Sequence, residues 1–268
     1  MTTGSDTVKR RCLLCGADAD PTVEHIIPQA LWRRFGIDSA RDVLAVFQTT
    51  LCDRHNQATA ALHRREEMLD LIETGEPVTK KTLLHLGDWA VWVTLLLGLS
   101  RGSGVLGEAV SRDTLLRRFD AENGGSPKGV RVYAARVSEY VEPRNPPISP
   151  YSLALFEDPR VHLDGRRRPA GFSVQEGPIN ASESIGLGKV ALLVVGRTYP
   201  SGDDHLERLD QAAALVGLKR ILPLVGALPG LEPRPVSMTE VGRLFTVVPF
   251  GADMSLMPEN LRAFAPLD

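Results

Sequence analysis

Cysteine is scarce in this chain: three in 268 residues. An odd number spread this thinly does not make a disulfide framework. Met1 to Arg11 is polar and lacks the apolar stretch of a secretory leader. Reduced cysteines and a cytoplasmic location are therefore expected. Long hydrophobic runs are missing as well. The uncharged stretch Trp89 to Leu99 falls short of the roughly 20 apolar residues that cross a bilayer, and Lys80, Lys81, His85 and Asp88 flank or interrupt it. It reads as a core helix, with no membrane partner. Nor is there an excess of positive charge. Thirty-one basic against 33 acidic side chains leave a net charge of −2, so the chain as a whole has no pull toward a polyanion. Basic residues are concentrated locally at Lys9-Arg10-Arg11, Arg33-Arg34, Arg64-Arg65 and Arg166-Arg167-Arg168; such clusters are ordinarily solvated faces. No internal repeat or low-complexity tract is evident. With 43% hydrophobic and 24% charged residues, the length is enough for a substantial core.

What the chain does have is an ordered use of its cysteines. All of them fall into one pattern, Cys12-Leu-Leu-Cys15 followed by Cys52-Asp-Arg-His55. Ligand types and spacing are those of a closed Cys3His zinc site, each pair on a tight knuckle and the metal tying the knuckles together. Free cysteines are also common as small buried hydrophobes, but that reading leaves unexplained why none lies outside the pattern. A helix histidine facing solvent has the same appearance as His55, but His55 stands where a second Cys-x-x-Cys would end. Between the pairs lies Glu24-His25-Ile26-Ile27-Pro28, and Asn56 follows the second pair. A histidine beside a carboxylate, with an amide oxygen on a facing element, is what a metal-dependent hydrolase needs.

Taken together, Cys-x-x-Cys, Glu-His-Ile-Ile-Pro and Leu-Cys-x-x-His-Asn resemble the HNH endonucleases of the zinc-bearing His-Me finger, or ββα-metal, type. The similarity covers residues 10 to 70. It implies that zinc is structural and that a second divalent ion, magnesium or manganese, takes part in the chemistry. It further implies that His25 is the general base activating water against a phosphodiester, and that Glu24 and Asn56 hold the catalytic ion.

The chemistry of these side chains agrees. Histidine is the residue whose unperturbed pKa lies nearest working pH. A hard cation takes oxygen ligands and keeps several waters, so one carboxylate and one amide oxygen suffice from the protein. A zinc with four protein ligands has no open position and serves to hold elements in register. The family's middle asparagine has no fixed counterpart; Gln48, Thr49 and Thr50 are the candidates. His63, two helical turns past Asn56, is either a phosphate contact or a packing residue.

Pattern and punctuation place these motifs. The expected elements are a strand at Thr22 to Ile27, a short helix at Gln29 to Phe35, a strand at Val43 to Leu51 and a helix from His55 to Glu73. Strand, loop, strand, helix is the order a ββα-metal finger requires. Further helices are expected at Lys81 to Leu99, Glu108 to Asp120 and Asp204 to Leu218. Strands are expected at Val130 to Val141, Tyr151 to Phe156, Val190 to Val195 and Leu244 to Val248. Gly186-Leu187-Gly188-Lys189 precedes a strand rather than a helix, and so is a turn and not a phosphate loop. The fold class expected is α+β: a zinc-stapled finger in residues 1–75, a helical connector in 76–125, and a mixed α/β or α+β domain in 126–268 that recognises substrate, positions DNA or dimerises.

Two functions follow from different classes. The first is a metal-dependent endonuclease acting on DNA, with RNA as an open second substrate, in a defence, restriction or phage setting. The alternative is a catalytically lapsed, zinc-stabilised module that binds nucleic acid or protein. A third reading makes the C-terminal region a ligand sensor and the finger its effector.

Overall fold

The computed structural model describes residues 10–19, 23–35, 48–100, 130–141, 148–149, 181–196, 210–211, 213–238 and 240–241. The expected elements at Glu108 to Asp120, Tyr151 to Phe156 and Leu244 to Val248 lie outside these residues, as does the first part of Asp204 to Leu218, through Leu209. The described architecture is mixed α+β with mainly antiparallel pairing and a Cys3His cluster near the N-terminus.

The N-terminal region is assembled from short pieces. β1 (Arg10–Arg11) and β2 (Asp18–Ala19) form a minimal hairpin, with Arg10 opposite Ala19. β3 (Val23–His25) pairs antiparallel with β4 (Gln48–Thr50), setting Glu24 against Thr49 and His25 against Gln48. β3 ends two residues and β4 one residue earlier than expected. Ile26 and Ile27 leave the strand in a bend and are fully buried, and the residues before Gln48 lie outside the description. Pro28 then starts α1 (Gln29–Arg34).

The helix expected from His55 to Glu73 is two helices, α2 (Asp53–His63) and α3 (Glu66–Thr74). Arg65 between them is extended, at φ −79 and ψ 90. The break falls just before Glu66 and Glu67, whose carboxylates favour a helix N-terminus through the helix dipole. From α3, Glu66, Asp70 and Glu73 all pair with the guanidinium of Arg34 on α1.

α4 (Lys80–Ser100) is the expected apolar helix. Trp89, Ala90, Val91, Trp92 and Val93 are all completely buried, so the helix has no solvated face along this stretch. Among the described residues, no helix is long and apolar enough to cross a membrane.

The C-terminal region is built on a six-stranded sheet. Its centre is β5 (Val130–Tyr140), flanked by β8 (Val190–Gly196) on one side. On the other side β9 (Lys219–Leu222) pairs antiparallel and β10 (Arg234–Val236) pairs parallel with it. β7 (Ala181–Leu187) continues from β8, and β6 (Ile148–Ser149) closes the edge. Alternation along the strands divides the core in two. Val130, Val132 and Ala134 with Val190, Leu192 and Val194 face α4, within one cluster that runs on to Leu14, Ile26 and Trp32. Tyr133, Ala135 and Val137 with Ala191, Leu193 and Val195 face a second cluster containing Ala213, Leu218 and Met238. Burial of both faces explains why β8 reads as an unbroken apolar run. A polar knot ties β5 to β9: Asp210 accepts from Arg131 at 2.8 Å, Tyr133 at 2.8 Å and Arg220 at 2.7 Å.

The turn expected at Gly186 to Lys189 is present but shorter, since Gly186 and Leu187 belong to β7. Its tip docks on the N-terminal region, where the Lys189 amide donates to the Ile72 carbonyl at 2.8 Å. Gly188 has φ +49, and a Cβ there would strike the Ile72 carbonyl and stand 2.6 Å from Phe35 Cζ. Replacing Gly188 with alanine should cost about 2 kcal/mol or more, combining a left-handed backbone with a collision. The urea midpoint reads this out; an unchanged midpoint would show that the tip is not seated as described.

Candidate metal centre and catalytic cluster

The first knuckle is closed by the Gly16 amide donating to the Cys12 carbonyl at 2.9 Å and the Cys12 amide to the Ala17 carbonyl at 2.8 Å. Gly16 supplies the left-handed residue, at φ +72, that the turn demands. The second knuckle is the start of α2, with Cys52 as its N-cap and the Asn56 amide bonded to the Cys52 carbonyl at 2.8 Å. The Leu13 amide donates to the Thr50 carbonyl at 3.0 Å, binding the first knuckle to the strand that leads into the second.

The four expected zinc ligands come together. The Cys12, Cys15 and Cys52 sulfurs and a His55 ring nitrogen all lie within 4.8 Å of one another. Cys15 Sγ and Cys52 Sγ are 3.8 Å apart, while His55 Nδ1 is 3.5 Å from Cys12 Sγ and 3.3 Å from Cys52 Sγ. Tetrahedral zinc, with bonds of about 2.3 Å to sulfur and 2.05 Å to nitrogen, has S–S edges of about 3.8 Å and S–N edges of about 3.6 Å. The donor set fits zinc in chemistry and in size. Burial works to raise the Cys12 thiol, but the amides of Cys52, Cys15 and Leu14 and the His55 ring outweigh it and bring its pKa down to about 6. A thiolate, the form a metal binds, is thus favoured at the innermost ligand. Cys52, by contrast, is raised by burial and by the neighbouring thiols.

Beside this centre, β3 presents Glu24 and His25. His25 Nε2 lies 3.1 Å from the Gln29 side-chain amide nitrogen and 3.2 Å from that of Gln48. Of the three candidates for the middle position, Gln48 is therefore the one that reaches the ring, as its cross-strand register dictates. Gln29, one helical turn past His25, was not anticipated; the four-residue spacing across Pro28 was the available signal. Burial lowers the His25 pKa, favouring the neutral ring.

Glu24 is pushed the other way, up to about 7, again by burial. Its nearest cationic candidate, His63 Nε2, is 3.7 Å away, but burial holds His63 down at about 4. At neutral pH the imidazole is uncharged and Glu24 is near the middle of its titration, so the two do not form an ion pair. His63 is itself 7% exposed and bonded at both nitrogens, to the His25 carbonyl at 2.9 Å and to Trp89 Nε1 at 3.0 Å. It is a packing residue in the sense anticipated, and is not available to phosphate. Asn56 lies in the first turn of α2, half-buried, next to the ligand His55.

The basic clusters around the motif are only partly free. Arg34 is held by three carboxylates and Arg65 is half-buried 3.7 Å from Asp88, whereas Arg33 and Arg64 are exposed. Arg166 to Arg168 lie outside the described residues. Comparison with protein-family models, with curated proteins and with solved structures gives no match.

Purified protein should carry about one zinc per chain, and Cys15→Ser or Cys52→Ser should lose it together with a cooperative melt, because binding energy at such a site is folding energy. Elemental analysis that finds no zinc in folded protein would remove the metal centre. Glu24 supplies a second measurement. Its folded pKa lies above its unfolded one, so its contribution to stability is full below about pH 4.5 and is lost as pH rises through about 7. Glu24→Gln should therefore gain on the unsubstituted protein between pH 6 and 8, by on the order of 1 kcal/mol without added divalent ions. Parallel Tm curves over that range would contradict an uncompensated buried carboxylate.

Proposed function

We propose that this protein is a metal-dependent endonuclease that hydrolyses DNA phosphodiester bonds, of the HNH type that its motifs resemble. The observation that carries the reading is the Glu24–His25 pair on β3, beside the Cys3His cluster and facing β4. One side chain is driven toward the neutral base, and the other is a carboxyl raised by burial, with no compensating cation among the described residues. A strand pair followed by a helix whose first turn carries the second knuckle supports this reading, since it is the order a ββα-metal finger requires.

In this reading zinc is structural, and Glu24 and Asn56 hold magnesium or manganese. Such an ion supplies charge neutralisation at the phosphate and the leaving oxygen. The protein's own residues do the rest. Gln29 and Gln48 hold His25 at Nε2, and an amide turned by half a revolution accepts from Nε2–H as readily as it donates to the bare nitrogen. With the oxygens so turned, Nδ1 is left to take the proton from water. The low pKa of His25 keeps that nitrogen unprotonated at neutral pH. Glu24 must lose its own proton before it can serve as an oxygen ligand.

The test is cleavage of supercoiled plasmid, with a parallel RNA substrate, in magnesium or manganese and in excess EDTA. His25→Ala should lower the rate by about 100-fold or more, leaving zinc content and Tm nearly unchanged. His55→Ala should disturb zinc and stability instead. Asn56→Ala should be partly rescued by higher magnesium. Rate should rise with pH as His25 deprotonates, with a midpoint below 6.5 at saturating magnesium. At limiting magnesium the midpoint should move up toward about 7, as protons compete for Glu24. Nucleic-acid binding without cleavage under all these conditions would replace the enzyme with the lapsed binding module.

A further inference from the structure

α4 belongs to neither strand of the candidate site, yet two of its side chains reach into it. Trp89 is completely buried, and an indole N–H can only donate. It donates to His63 Nδ1 at 3.0 Å. That nitrogen must therefore be bare, which places the hydrogen of the neutral ring on Nε2. Nε2 in turn lies 2.9 Å from the carbonyl oxygen of His25. Trp89 on α4 and the His25 carbonyl thus demand the same tautomer of His63, and the ring is held between them. At that point β3 ends and the chain bends into Ile26 and Ile27, both buried. His25 is held by the β4 ladder on one side and by His63 on the other, and its ring direction relative to Gln29 and Gln48 follows.

We propose that Trp89 and His63 are positioning residues for His25, a hydrogen-bonded relay that fixes the carbonyl, and with it the imidazole, of the residue that acts as base. The proposal rests on the endonuclease reading for its catalytic consequence, but not for its geometry. The relay makes a specific demand. Removing the indole N–H while keeping an aromatic ring leaves His63 Nδ1 buried without a donor, and the ring is then held at Nε2 alone. A glutamine at position 63 presents both a donor and an acceptor and can restore the relay; a leucine can do neither.

The experiment uses the full chain, zinc-loaded, at saturating magnesium. Trp89→Phe should lower kcat for plasmid cleavage roughly tenfold, the size usual for loss of an outer partner of an active group, with KM and zinc content unchanged. His63→Leu should lose at least as much, and His63→Gln should recover most of the rate. Imidazole nitrogen–proton correlation spectra give a readout independent of activity. They should show the His63 hydrogen on Nε2 in the unsubstituted protein and displaced His25 ring resonances in Trp89→Phe. An unchanged kcat in Trp89→Phe, or His25 resonances that do not move, overturns the relay. If Trp89→Phe loses zinc or its cooperative melt, the His63→Gln and His63→Leu pair decides by the same two readouts. If the unsubstituted protein cuts no substrate, the endonuclease reading fails by itself, and the spectra alone decide whether His25 is positioned from α4.

Discussion

A buried N–H must find an acceptor, and the two indoles of α4 meet that requirement inside the N-terminal region. Trp89 uses His63, and Trp92 donates to Thr59 Oγ1 at 2.9 Å. Thr59 passes its own hydrogen to the His55 carbonyl at 2.8 Å, and His63 passes its hydrogen to the His25 carbonyl. Indoles three residues apart on one helix thus meet hydrogen-bonding side chains four apart on another, the spacings that keep residues on one face of each. The most apolar of the described helices is thus linked, through one side chain in each case, to the main chain of His55, one of the four candidate metal ligands, and of His25, the proposed base. Its opposite surroundings are the strands β5, β8 and β9, so the sheet and the small N-terminal elements share one wall.

Burial also accounts for the electrostatics. The same loss of solvent drives Glu24 up and His25 and His63 down, because in each case it penalises the charged form. The knuckle a few residues away behaves differently. There Cys12 is buried too, but converging amides and an imidazole favour its anion. One dry region therefore contains two sites of contrasting preference: a cluster suited to a soft cation, and a carboxyl that holds its proton up to about pH 7.

What the sequence disclosed, and what it withheld, divides along the range of the interaction. The Cys3His cluster was legible because each pair is local and the ligand types are few. α4 was legible because eleven uncharged residues in a row have little alternative. β5 and β8 were legible from their β-branched content. The division of α2 from α3 was missed because apolar positions continue in helical phase across it; Glu66 and Glu67 marked the start, but they read equally well as a solvated face. β9 was missed because four residues between Gly217 and Pro223 look like a loop. The role of His63 was out of reach, since its partners come from β3 and from α4, and no pattern within α2 announces either. Gln48 was named as one of three and separated from Thr49 and Thr50 only by the strand register.

The seating of the β7–β8 turn has a further consequence, for the order in which the molecule can be made. Lys189 and Ile72 bond to each other from opposite halves of the chain. Synthesis runs from the N-terminus, so every part of the Cys3His cluster is available long before the turn that braces α3 has been translated. The cluster can close on its metal as a local event, while α4 waits with its apolar surface uncovered until β5 and β8 arrive. The interval between those two moments is when the nascent chain is most exposed to aggregation, and it is set by where in the sequence the bracing turn is encoded.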